Sequence, residues 1–305
     1  MEDNQSSLEG LTVITLVDGF VDMFAPSAGP LTRVAPGQTG KPLMGGHGSS
    51  YLVDCRHPSG NFTFMIDGGM TGAMVRNNLE ALGRGASQVQ AMVLTHGHPD
   101  HYNGLAALAP EVTAGAPFYA HPEAFLPRKI RTPRGEAGPW SLDRGALEAA
   151  GMEVVEVVDR REIGPGVALS GQLPEGEVPP ARMPGHLVVR EGRDDPEEAA
   201  DELAVVFDRG ERGLIVLTAC AHRRATAVVS YVAGRWGKRV AGLIAGFHLS
   251  QAPAEEIDSL AGELDGLDLD FVLSGHCTGF PANAVFSRVL GERFLVNTVG
   301  SRLEW

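Results

Sequence analysis

The densest chemistry in the chain is His96-Gly97-His98-Pro99-Asp100-His101, three imidazoles and a carboxylate within six residues. Crowding these groups is unfavourable unless something electrophilic sits among them, and imidazole suits zinc, iron and related metals. Gly97 and Pro99 shape a tight, non-helical path. His96 and His98 can therefore point into one site, while Asp100 and His101, where a helix begins, can serve an adjacent one. The alternative is a polar loop in which Asp100 caps the helix.

More histidines fall where strands end. Val93-Leu94-Thr95 leads into His96, Val216 through Ala221 into His222, Leu243 through Phe247 into His248, and Val272 through Gly275 into His276. In α/β architectures sites are built at strand ends, because loops leave a rigid edge there. Four segments far apart in sequence can thus deliver imidazoles to one rim.

The elements that must position these groups can be read coarsely. Alternation and β-branching predict strands at 11–17, 51–55, 62–66, 88–95 and 118–120, and again at 203–207, 214–218, 240–245, 271–274 and 294–299. Helices are expected at 72–82, 100–108 and 226–233, with a helix start at His121-Pro122-Glu123. Residues 25–50 and 174–184 read as Gly/Pro-rich loops, 128–139 as a basic loop, and 190–202 as a charged, solvated excursion.

At this point the sequence resembles a known family. An apolar strand followed by His96-x-His98-x-Asp100-His101 is the signature of the metallo-β-lactamase superfamily, and Met65-Ile66-Asp67-Gly68-Gly69 is similar to its first motif, whose aspartate is usually structural. The segments around Cys220-Ala221-His222, Gly246-Phe247-His248 and Gly275-His276-Cys277-Thr278-Gly279 resemble one branch. That branch centres on a dihydropterin-forming ribofuranosyl-aminobenzene-phosphate synthase and includes many hydrolases without assigned substrates. The resemblance spans roughly residues 10–300. It implies an α/β fold, the four-layer αβ/βα sandwich, as one domain over 1–305 with inserted loops at about 25–50 and 128–200.

The resemblance also implies a ligand map. His96, His98 and His222 would hold one divalent ion, and Asp100, His101 and His276 a second. Zinc is the first expectation, with manganese or iron as alternatives. The superfamily often places a bridging aspartate after the strand at 214–218, where this chain has Ala219-Cys220. Cys220 is then a thiolate ligand, a residue supporting a ligand, or a small buried side chain, the last being the default for an isolated cysteine. Asp201 and Glu202 are alternative carboxylates, better read as solvated charges. His248 is a metal-rim residue, a substrate contact or a proton donor. His186 mimics a Pro-Gly-His ligand of other branches, but a structural or exposed role is preferred. His47 could reach the site from a flexible segment, although a plain loop is the safer reading, and His57 and His121 look like turn and helix-start residues.

Two metals can hold a bridging hydroxide, ready near neutral pH to attack an ester, lactone, phosphoester or amide. Asp100 and His248 are the candidate catalytic residues, with His248 as proton donor. Thr278 and Gly279 are candidates for an anionic substrate group. The cations of the basic loop, Arg128, Lys129, Arg131 and Arg134, suggest a phosphorylated or carboxylated small molecule. A solvated loop is an equal reading of the same residues. Trp140 could stack on a ring or pack the cap.

Composition bounds the alternatives. The chain has 305 residues, 43% of them hydrophobic, enough for a sizeable core. A formal charge of −13 disfavours nucleic acid and anionic membrane as partners. The expected partner is a small-molecule substrate, with a homodimer left open. The three cysteines form no CxxC pair and suit a reducing cytoplasm. The polar stretch Met1-Glu2-Asp3-Asn4-Gln5 shows no signal core, and no run approaches the roughly 18 apolar residues of a membrane helix. A flavin-coupled di-iron enzyme is disfavoured by His98, where such proteins commonly carry a carboxylate. A nuclease is disfavoured by charge, and a decayed binding protein by six intact candidate ligands. A biosynthetic synthase of the pterin-precursor type is the remaining alternative to a hydrolase.

Overall fold

Strand alternation sets the layering. In Ser50–Arg56, Tyr51, Val53 and Cys55 face one way and Leu52 the other, and in Phe62–Ile66 the side chains of Phe64 and Ile66 oppose Met65. Both faces are apolar and buried, so the sheet must be covered on both sides. The computed structural model of the chain describes residues 7–35 and 37–305. The N-terminal stretch Met1-Glu2-Asp3-Asn4-Gln5 lies outside the described residues.

The first sheet has eight strands in the order Leu31–Thr32, Arg302–Glu304, Gly10–Val17, Ser50–Arg56, Phe62–Ile66, Met92–Val93, Pro117–Ala120, Glu153–Glu156. The second has seven, in the order Arg161–Gly164, Val167–Leu169, Val205–Asp208, Leu214–Thr218, Val240–Ala245, Phe271–Ser274, Phe294–Val296. Tyr51, Val53, Phe64 and Ile66 from the first sheet meet Phe207, Ile215, Leu217 and Ile244 from the second in one dry interior. On the outer face of the first sheet, Leu52, Met65 and Phe118 pack against the helices Gly72–Ala81 and Pro99–Leu108 through Val75, Leu79 and Leu105. Beyond the second sheet, Val216 and Leu243 pack on helices Ala225–Trp236, Ala254–Asp265 and Phe280–Leu290. Helix, sheet, sheet, helix is the expected four-layer αβ/βα sandwich. Among the described residues, no helix is long and apolar enough to cross a membrane.

Several stretches differ from the sequence expectation: the helices Ala254–Asp265 and Phe280–Leu290 were not expected, and the strand expected at 294–299 is Phe294–Val296. Residues 128–139 are not a loop. Arg128–Thr132 and Gly135–Trp140 form an antiparallel hairpin in a third, four-stranded sheet with His186–Arg190 and Arg193–Pro196. The charged excursion at 190–202 is likewise folded inward at its end, where Glu197, Asp201 and Glu202 are each at most 5% exposed. The predicted strand at 88–95 shortens to Met92–Val93, because the 3₁₀ turn Ala86–Gln88 leads into it. Its flanking residues, Ala91, Leu94 and Thr95, are still buried.

In the second sheet, Leu214–Thr218, Val240–Ala245 and Phe271–Ser274 are mutually parallel neighbours, so their C-terminal ends share one rim. His222, His248 and His276 follow those ends. The first sheet contributes His96 after Met92–Val93, and the helix Pro99–Leu108 starts immediately beyond.

Candidate metal centre

His98 caps the helix Pro99–Leu108 in extended conformation, and Pro99 fills the first helical position, where its missing N–H is no loss. Asp100 sits in the first turn, favourably placed against the helix dipole. The helix start is pressed onto the Asp67-Gly68-Gly69 turn: a Cβ on Gly104 would collide with the Gly68 carbonyl. That close approach requires glycine and brings His101 onto Asp67.

Three ring nitrogens converge first. His96 Nε2 lies 3.1 Å from His98 Nδ1 and 3.3 Å from His222 Nε2. The partners of the opposite nitrogens assign the tautomers. Thr95 Oγ1 donates to Asp67 Oδ2 at 2.7 Å, so it accepts from His96 Nδ1 at 3.0 Å. The other ring nitrogen of His98, Nε2, donates to Glu197 Oε1 at 3.1 Å. With both rings neutral, the facing nitrogens present lone pairs to each other. His222 Nδ1 is buried with no partner among the described residues. Burial, then the neighbouring His101 and His98, push His96 far below its usual range, and burial followed by His248 does the same to His222. Facing lone pairs repel unless a cation lies between them, and carboxylates behind the rings are the usual support of metal-binding histidines. The residues fit a metal.

The second cluster centres on Asp100. Its Oδ2 lies 3.4 Å from His276 Nε2, 3.7 Å from His101 Nε2 and 3.2 Å from His47 Nε2. His101 Nδ1 donates to Asp67 Oδ2 at 2.7 Å, which aims Nε2 at the cluster. Burial lowers the His101 pKa, but Asp100 and Asp67 outweigh it and hold the ring at about 9. Burial raises Asp100, and His101 and His276 outweigh it, bringing the carboxyl to about 2. Cys220 stands between the clusters. Its Sγ is 3.2 Å from His101 Nε2, and it lies within 4.8 Å of ligand atoms of His96 and His222 on one side and His101 and His276 on the other. It fills the place where the resemblance puts a bridging aspartate.

All six expected ligands are thus brought together, and two histidines given structural readings join them. His47, on its exposed loop, reaches Asp100. His186 lies with its ring centroid 5.8 Å from that of His98. His248 stacks obliquely on His222 at 4.3 Å between centroids, and its backbone is held at φ 49°, an uncommon conformation for a non-glycine residue. The His276 backbone is held likewise. His121 caps a 3₁₀ turn by accepting from Glu123 N, as a helix-start residue.

The expected substrate contacts are placed elsewhere. Arg128 is 3% exposed and binds Glu197 and Asp201 at 2.5 and 2.7 Å, so its guanidinium braces the site from behind. Asp201 also accepts from Gly97 N at 2.7 Å, fixing the histidine loop. Lys129 and Arg131 are engaged with Asp194 on the small sheet. The Thr278 hydroxyl is buried and consumed by Gly275 O, Phe247 N and Ser274 Oγ, and Gly279 turns at φ 81° against Ser250. Asp201 and Glu202 are not solvated charges: Glu202 accepts from His222 N and Arg223 N at 2.8 and 3.0 Å.

Sequence reasoning missed three contributors. Glu197 supports His98. Asp18, buried and pushed up to about 7 by that burial, accepts from His276 N at 2.9 Å. Arg182 lines a cleft of about 830 Å³ whose wall includes His186, His222, His248, Phe247 and Gln251. The signal for Asp18 was its place at a strand end, shared with the histidines. Glu197 gave none, because only the pairing of the third sheet brings it to His98.

Residues 43–236 match the family model described as the metallo-beta-lactamase superfamily. The chain is 26% identical over 83% of its length, and 88% of the relative's, to 7,8-dihydropterin-6-methyl-4-(beta-D-ribofuranosyl)-aminobenzene-5'-phosphate synthase of Methanocaldococcus jannaschii. Among solved structures it resembles Tm1679, described as a metal-dependent hydrolase of the beta-lactamase superfamily, with TM-score 0.75 and 23% identity, covering 96% of this chain and 98% of that one. It also resembles Zn(2+)-bound PqqB from Methylobacterium extorquens, with TM-score 0.55 and 14% identity, covering 96% and 99%.

Proposed function

The chain belongs to the metallo-beta-lactamase superfamily, and on that premise we propose that it is a metal-dependent hydrolase with a paired metal site, acting on a small anionic ester, phosphoester or lactone. The observation that carries the reading is the convergence of His96 Nε2 with His98 Nδ1 at 3.1 Å and His222 Nε2 at 3.3 Å, with Thr95 and Glu197 hydrogen-bonded to the far side of the His96 and His98 rings. His96, His98 and His222 would hold one cation, and Asp100, His101 and His276 the other, with Cys220 between them. Imidazole, carboxylate and thiol donors together favour zinc. When bound, such cations make a nucleophile available from water near neutral pH and polarise the electrophile.

The remaining work falls to this chain's own side chains. His248 stands at the cleft beside His222 and is placed to protonate a leaving group. Arg182, which has no ion-pair partner among the described residues, offers a planar fork of donors to an anionic group of the substrate. Phe247 and Leu249 make the adjoining wall apolar and limit water. Elemental analysis of gently purified protein, followed by a hydrolysis panel, tests the reading. About two metals per chain with turnover of an anionic ester support it; no metal after reconstitution overturns it.

A second reading rests on the name of the archaeal relative, a synthase. The same centre would then join two substrates, and single-substrate hydrolysis panels would show nothing while paired substrates gave product.

A further inference from the structure

The strand Leu214–Thr218 has its histidine at one end and an arginine turn at the other. Where residues 209–213 meet the strand ends of the first sheet, a crevice of about 560 Å³ opens, lined by Arg56, Arg209, Arg212, Arg302 and Trp305 among others. The strand's five residues, at roughly 3.3 Å each, put it on the order of 15 Å or more from the metal centre.

The side-chain charges in this crevice do not cancel. Three side-chain carboxylates line it and each is engaged: Glu9 lies 4.0 Å from Arg56, Asp54 is 2.7 Å from Arg84, and Glu304 is 2.7 Å from Arg302. Arg209 and Arg212 have no carboxylate partner among the described residues. Arg212 stacks over the Trp305 ring at 4.7 Å. Arg209 is 7% exposed; its Nη1 donates to the Leu8 carbonyl, while its Nε is buried and unpartnered. Trp305 Nε1 is a second buried, unpartnered donor. Burial, then Arg212 and Arg56, push the Arg209 guanidinium down, the signature of cations crowded together in a chain of net charge −13.

Among the described residues, the unmatched side-chain groups here are donors. Guanidinium and indole N–H cannot accept, so a complementary ligand must be rich in acceptors and negatively charged. The donors come from three separate side chains, Arg209 and Arg212 of the 209–212 turn and Trp305 just beyond the strand Arg302–Glu304. A carboxylate offers two coplanar oxygens, whereas a phosphate group offers three in three dimensions. We propose that this crevice is a second ligand site, separate from the metal centre, that takes a compact phosphate-bearing molecule on Arg209, Arg212 and the Trp305 indole.

The test uses metal-loaded protein carrying ¹⁵N-labelled tryptophan. The chain has three tryptophans, Trp140, Trp236 and Trp305. The Trp305 indole signal is identified by its absence in Trp305→Phe. Inorganic phosphate is titrated at constant ionic strength against chloride. The proposal expects the Trp305 signal to move and saturate while those of Trp140 and Trp236 stay in place. In Arg212→Gln the midpoint should rise by about tenfold or more, with the other two signals unchanged as evidence of folding. A Trp305 signal that does not move up to phosphate on the order of 10 mM overturns the proposal. So does an unchanged midpoint in Arg212→Gln.

Discussion

His98 Nε2 and Glu197 Oε1, 99 residues apart in the chain, meet at 3.1 Å, and the same oxygen receives Arg128 Nε at 2.5 Å. One buried carboxylate therefore aims a metal-facing histidine and neutralises the arginine that braces the site. Burial alone would raise Glu197, but His98 and Arg128 bring it to about 2, so it stays ionised across the working range.

Replacing Glu197 with Gln keeps an acceptor but removes the charge. Metal affinity should fall roughly tenfold or more by chelator competition. Arg128 would keep only Asp201 as a carboxylate partner among the described residues, so stability should drop by about 3 kcal/mol in denaturant melts. Unaltered metal affinity would show that His98 needs no such support.

His248→Ala and His222→Ala should separate a proton donor from a ligand. The first is expected to keep its metal content and lose roughly 10²- to 10⁴-fold in turnover. The second should lose metal as well. Equal metal loss in both would make His248 a ligand.

Asp18 holds the His276 backbone N–H and accepts from Asn297 Nδ2 at 3.1 Å. Asp18→Asn should loosen the His276 turn. The expected result is a fall from about two metals per chain toward one, read by elemental analysis, while the His96 site stays filled. Loss of both metals together would mean that the two positions do not load independently.

Arg182→Ala tests the cleft. KM for an anionic substrate should rise about tenfold with kcat little changed, the pattern of lost ground-state binding. An uncharged analogue should show no such change. If both substrates respond alike, Arg182 is acting on the loop and not on the substrate charge.

Away from the site, Asp54 and Arg84 form a half-buried bidentate pair at 2.7 and 2.8 Å. Burial raises the Asp54 carboxyl, but Arg84 and Thr63 outweigh it and hold it below its usual range. A carboxyl depressed in the folded state adds stability above its unfolded pKa, and that stability is lost as pH falls through the folded value. Asp54→Asn should therefore lower the melting temperature by only ~1–2 °C at neutral pH, and the difference should shrink below about pH 4. A difference that persists in acid would assign the effect to packing.

The sequence, through its resemblance to a known signature, implied the layered α/β fold and the six groups of the candidate ligand set; read residue by residue it showed His96 through His101 as one local cluster and His222 and His276 as histidines after strand-like runs. It could not place Arg128, whose charge reads the same on a solvated loop as in a buried brace. Nor could it distinguish Glu197, Asp201 and Glu202 from the exposed acids around them, or rank His47 and His186 above plain loop residues. Those assignments depend on which side chains meet across large sequence separations. The pairing of His186–Arg190 with Arg128–Thr132 and the docking of that small sheet beside the histidine loop decided them. A charge at the surface and a charge buried against its partner have the same local sequence; only the tertiary structure supplies the partner.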